Sequence, residues 1–327
     1  MAVDEMKLEI PKALRLREEL ICSGLKEAIK TGGDTGEAVE LLEAILLPHL
    51  SKEDAEVLQP LGLLPRLARG EASAEMAHVL PQIEELKKDL RDLRVEHATI
   101  LSAIKRLVAA ARAEDRSQHA RFAERLLFRA WLDESVFTPL AILIGEYLDL
   151  RLQRKNPPPS PAPPELRAPT KLELPEALQL SHVQLSAALT KAARAGGRTA
   201  VVADAIAQIL EPHLEQEEAK VLRILGLLGP LAAGAFDPEW MKDEMGWEEL
   251  ETNESALHLE HRKLVKAGEE LLAIARQEHS AETLDFAERL LLRIRLDEEI
   301  FYRAALFIRK YLRLRAGKEP VEQRLSP

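Results

Sequence analysis

A single cysteine, Cys22, stands in 327 residues, which excludes an internal disulfide framework and any zinc cluster built on several thiolates. No histidine or asparagine pattern around it marks a nucleophile, so it reads as a small apolar residue partly buried in the first helix. Aromatics make up 4% of the chain and glycines number only 15, a composition that disfavours sheets with their β-branched runs and Gly-rich turns. An all-α fold is expected. No uninterrupted apolar stretch approaches the length of a membrane span, and the start MAVDEMKLEIPKAL lacks a basic segment followed by an apolar core. Neither a membrane helix nor a signal peptide is therefore expected, and the cytoplasm is the default compartment. A formal net charge of -10 gives no general attraction to nucleic acid or to an anionic membrane. Basic runs such as Arg309-Lys310 and Arg313-Leu314-Arg315 fall at a helix end, where they complement the dipole. No Ser/His/Asp arrangement or phosphate-binding glycine loop is present, so no catalytic residue is assigned and enzymatic activity stays an open question.

What the chain does contain is itself, twice. PHLSKEDAEVLQPLGLL from Pro48 to Leu64 returns as PHLEQEEAKVLRILGLL from Pro212 to Leu228, an offset of 164 positions. FAERLL at Phe122 returns at Phe286, and Glu96-His97 returns as Glu260-His261, at the same offset and without a gap. A duplication offers two readings of one plan: what both copies keep at inward positions belongs to the plan, and their differences show where roles diverge. Between the copies lies NPPPSPAPP, from Asn156 to Pro164, which cannot continue a helix and reads as a semi-rigid spacer. The expected organisation is a domain over 1–155, a Pro-rich linker over 156–171, a second domain over 172–317 and a tail over 318–327.

Four long helices are expected in the first copy, at roughly 11–30, 36–59, 75–113 and 115–153, with a short turn near 63–69. The second copy repeats their order. Such helices with short connections bury their apolar stripes against one another, as two tandem antiparallel up-down-up-down four-helix bundles. Each stripe is broken by polar residues near its middle. Helix 1 carries Glu18 or His182, helix 2 carries His49 with Glu53 or His213 with Glu217, helix 3 carries His97 or His261, and helix 4 carries Arg129 with Asp133 or Arg293 with Asp297. Buried polar groups cost several kcal/mol unless partnered, so four breaks on four helices should meet at one level, satisfying one another or holding an ion. His and Glu at i, i+4 lie one turn apart on one face and can converge on a single point.

With these residues in place the chain resembles the hemerythrin-like, or HHE cation-binding, family. That family is similar in having a His on helix 1, His-x-x-x-Glu on helix 2, a His on helix 3 and a His/carboxylate pair on helix 4, around a carboxylate-bridged di-iron centre. The resemblance implies metal ligands at His182, His213, Glu217, His261 and Asp297 in the second copy, and a degenerate set, Glu18, His49, Glu53, His97 and Asp133, in the first. It implies iron, mono- or dinuclear, before manganese or zinc, and a dioxygen- or redox-linked role in binding, sensing or oxidation with a small diatomic or other small molecule as partner. Arg129 and Arg293 depart from it, standing where the family has a helix 4 histidine. An arginine offers no lone pair, so it replaces metal charge or binds an anion instead. The alternative is a metal-free scaffold or interaction protein in which those two arginines stand in for the lost cation. The sequence specifies no protein partner.

Overall fold

The computed structural model describes residues 8–152, 174–241 and 247–318, with side chains from 256 onward in the last stretch. The expected linker and nearly all of the expected tail lie outside these residues. The described chain is all-helical, without a strand. Its long helices are α1 (Lys12–Ile29), α2 (Gly33–Glu53), α3 (Leu80–Ala113), α4 (Ser117–Leu132), α5 (Thr138–Arg151), α6 (Glu176–Ala193), α7 (Gly197–Lys220), α8 (Trp247–Gln277), α9 (Ala281–Leu296) and α10 (Tyr302–Arg315). None of them is long and apolar enough to cross a membrane.

Several places in this order depart from the plain helices expected. The π-helical turns Asp133–Phe137 and Asp297–Phe301 join α4 to α5 and α9 to α10, so that each pair forms one continuous rod. A third π turn, Asp54–Leu58, extends α2. The second copy has none there: α7 runs to Lys220, and a 3-10 segment, Leu222–Leu227, follows. Single-turn π segments widen the helix by one residue and are enriched at functional sites. All three begin at or beside a carboxylate singled out in the sequence.

The described residues group into two compact units, 8–66 with 71–152, and 67–70 with 174–241 and 247–318. In the first, α1 packs on α2, α2 on α3, α3 on α4 and α4 back on α1. The second repeats this ring with α6, α7, α8 and α9. Matching residues fill the two cores: Leu25, Leu42, Leu107 and Leu126 in one, Leu189, Ile206, Leu271 and Leu290 in the other, none more than 3% exposed. The helices turn at Gly32-Gly33 and Gly196-Gly197, all four at positive φ, where a side chain would be strained. The first turn of α2 is then tied to the α3–α4 corner, because Glu114 accepts hydrogen bonds from the backbone N–H groups of Asp34 and Thr35. Thr199 donates to Glu278 at the equivalent corner of the second unit, 2.6 Å away.

Candidate metal centre

The polar breaks do meet. In the first unit Arg17, His49, Glu53, His97, Arg129 and Asp133 are all buried, with Glu18 beside them. Glu53, from the last turn of α2, is the hub. Its Oε1 lies 3.1 Å from His97 Nε2 and 3.2 Å from His49 Nε2, and its Oε2 accepts from Arg129 Nη2 at 2.6 Å. Arg129 also reaches Asp133 at 2.9 Å and Glu18 at 3.3 Å. Arg17, not singled out in the sequence, adds a second guanidinium: it donates to Asp133 and to Glu18 at 2.9 Å each and lies over the Phe137 ring. Two arginines thus face three carboxylates.

The protons of this layer follow from its partners. His49 Nδ1 sits 2.8 Å from Glu96 Oε2, and an ionised carboxylate only accepts, so that nitrogen carries the hydrogen. Burial opposes charge on the ring, but Glu53 and Glu96 outweigh it and raise its pKa. Two guanidiniums, Arg17 and Arg129, and a His49 ring disposed toward protonation thus face Glu18, Glu53 and Asp133, with Glu96 on the outer side of His49. Burial likewise works against the Glu53 carboxylate, yet Arg129, then His49 and His97, hold its pKa well below the usual range. The Asp133 carboxyl goes the other way, raised by burial despite Arg129 and Arg17. The first site is a polar layer closed by its own cations.

The second unit is built on the same plan with different contents. Ser181 stands where the first copy has Arg17, so one guanidinium is gone, and His182 replaces Glu18. Arg293 places its Nε 2.7 Å from Asp297 Oδ1 and its Nη2 3.2 Å from Glu217 Oε2. The other oxygen of Glu217 accepts from the Tyr302 hydroxyl at 2.6 Å. Burial, followed by Glu217 and Asp297, raises the pKa of that phenol and keeps it neutral.

Three imidazoles complete the second site, and each is held from outside by a carboxylate. His213 Nδ1 lies 2.8 Å from Glu260, His261 Nδ1 3.1 Å from Glu298, and His182 Nδ1 2.6 Å from Glu218. Each carboxylate accepts a hydrogen bond from Nδ1–H and turns the Nε2 lone pair inward, the outer-shell arrangement common around metal-bound histidine. The Nε2 atoms of His213 and His261 consequently stand 2.9 Å apart, with the Tyr302 oxygen 3.2 Å from the latter. Two lone pairs cannot face each other at that distance without a cation between them, whether a proton or a metal ion. His182 Nε2 is buried without a hydrogen-bond partner, 3.7 Å from Glu217 Oε2. Burial, then Arg293 and His213, push its pKa down to about 2, which keeps that lone pair free.

Of the residues expected to ligate in the second copy, the fold brings His213, Glu217 and His261 within ligating distance of one another, with His182 beside them. Asp297 is not in that cluster. Arg293 occupies it, and burial foremost, with Glu217 next among the groups acting in that direction, pushes its pKa up to about 7. In the first copy His49, Glu53 and His97 form the corresponding group, while Glu18 and Asp133 are engaged by arginines. Sequence reading missed Arg17 and Tyr302 altogether. His258, outside the stripes singled out in the sequence, is half-buried and lies 3.2 Å from Glu298.

The chain matches no family model, no curated protein and no solved structure. Chemistry at the two sites therefore has to be argued from these residues.

Proposed function

We propose that the chain is a metal-binding protein made of two tandem antiparallel up-down-up-down bundles of hemerythrin-like design, the second holding one iron ion and the first none. The observation that carries this reading is the pair of Nε2 atoms, on His213 and His261, 2.9 Å apart with both outer nitrogens tied to carboxylates. Beside Glu217 they make a two-histidine, one-carboxylate set, a donor combination suited to non-haem iron with open positions. The orphaned Nε2 of His182 supports the fit, since a buried imidazole lone pair without a donor is costly until a cation reaches it. Arg293 beside Glu217 and Asp297 leaves room in the charge balance for one ion rather than two.

Iron held there would supply an open coordination position for dioxygen or another small diatomic, or an electron for oxidative chemistry. The chain's own residues do the rest. Glu260, Glu298 and Glu218 orient the three rings, Tyr302 holds a hydroxyl hydrogen on Glu217, and the buried layer excludes water. In the first unit Arg17 and Arg129 favour the metal-free reading, with the layer serving packing alone.

Metal analysis and a visible spectrum of protein expressed in iron-replete medium test this. About one equivalent per chain is expected, lost at least tenfold in His213→Ala and kept in His49→Ala. Less than about a tenth of an equivalent of any transition metal in the unmutated chain would sink it and leave the scaffold reading.

A further inference from the structure

We propose that His258, Glu298 and the outward nitrogen of His261 form a second cation site in the second unit, half open to solvent, that takes a borderline divalent transition ion such as zinc or cobalt. It lies on the far side of the His261 ring from the buried centre and rests on the reading of that centre only in sharing this ring.

Spacing is the first argument. One oxygen of Glu298 lies 3.2 Å from His258 Nδ1 and 3.1 Å from His261 Nδ1. Donors about 2.0–2.1 Å from a tetrahedral ion stand about 3.3 Å from one another, so Glu298 already stands from each ring as a fellow ligand would, and all three ligand atoms lie within 4.8 Å of one another. The chemistry also matches, two imidazole nitrogens and a carboxylate being a common set for zinc and its neighbours.

Access is the second. His258 and Glu298 keep 34% and 37% of their side-chain surfaces exposed, whereas His261 keeps 1%. An ion can arrive from water at this place, and the inner face of His261 is reached only through the packed layer.

The third argument comes from the duplication. The first copy has Arg94 where the second has His258, just as it has Arg17 where the second has Ser181. At both levels the first unit carries a permanent guanidinium and the second carries a residue that either ligates a cation or leaves room for one. Two substitutions of the same sense, one in the buried layer and one at the exposed Arg94 position, fit a unit that takes up ions and a unit that does not.

Both ions can use His261. The ion at Nδ1 displaces the hydrogen now shared with Glu298, which leaves to solvent, and the ring bridges as an imidazolate. Positive charge on both sides favours that loss.

The test uses the full chain, stripped with a chelator and titrated with Co2+, with bound metal counted by equilibrium dialysis and the visible bands followed. Two ions per chain are expected in the unmutated protein, with one lost in His258→Ala and the helical circular dichroism unchanged. If His258→Ala binds as many ions as the unmutated chain, the outer site does not exist. A single ion abolished by His213→Ala overturns the outer site and leaves the buried one standing. A loss in His258→Ala but none in His213→Ala does the reverse. No bound cobalt in any form overturns both.

Discussion

Arg17 and Ser181 hold one position in two copies, and that position decides whether a buried polar layer closes on itself. Arg17 neutralises Asp133 and Glu18 together, and Ser181, a residue without charge, does neither. Exchanging the local pair, as Arg17→Ser with Glu18→His, should therefore open the first site. Metal analysis of the double variant is expected to find about one further ion per chain, and no gain would mean that Arg17 is not what closes the layer. His182 gives a second residue-scale consequence, in the metal-free chain. Its folded pKa of about 2 lies below the unfolded value of about 6.5. The unfolded chain thus takes up the proton more readily, so this contribution is fully present above pH 6.5 and is lost as pH falls below it, at up to about 1.4 kcal/mol per pH unit. Denaturant melts from pH 7 to 5 should show a shallower loss in His182→Gln, and equal slopes would contradict the burial of a neutral ring. The histidines and carboxylates of both layers were legible as polar breaks in apolar stripes. Arg17 was not, because it adjoins the stripe residue Glu18 and at 3.6 residues per turn either neighbour can face the core. Comparing Arg17 with Ser181 across the repeat would have flagged it, whereas Tyr302, matched by Thr138, is uncharged on either side and carries no such mark.

At the scale of helices, close approach matters more than propensity. Gly24 on α1 lies against the Phe122 ring of α4, and a Cβ added there would overlap the ring. Gly24→Ala should destabilise the first unit by about 1–3 kcal/mol through forced repacking, despite alanine's better helix propensity, and thermal melting would show it. A neutral or stabilising result would mean that the ring moves aside, as it must beside Ala188 at the matching place in the second copy. The long helices and their glycine corners could be read from periodicity and from positions such as Gly32-Gly33. The π turns could not: each inserts one residue without altering composition, and the gapless repeat hides a feature that both copies share on the fourth rod. Nor does periodicity explain why α2 extends through a π turn while α7 breaks at Val221.

For the molecule as a whole, two cores of matching residues with different polar layers imply two unfolding events that respond differently to metal. Calorimetry of the stripped chain with and without added Fe2+ or Zn2+ should move one transition and not the other. At a free concentration of 100 times Kd the shift corresponds to about 2.7 kcal/mol. Equal movement of both transitions would show that the first unit binds metal after all, and movement of neither would remove the metal reading. The repeat made the two-unit organisation visible from the sequence, because a fixed offset needs no structural interpretation. The difference in what fills the units was only half visible, since it depends on which side chains reach the shared layer.

The guanidinium groups of the first layer are covalently part of the chain and cannot be withdrawn. If the second layer holds the proposed ion, a chelator, an acid pulse or iron scarcity should empty it and leave the first layer as it was. Under protease, the stripped chain should accordingly be cut first within 174–318, and the surviving fragment should be the arginine-filled half, a durable stub whose abundance relative to the intact chain records how long the metal has been missing.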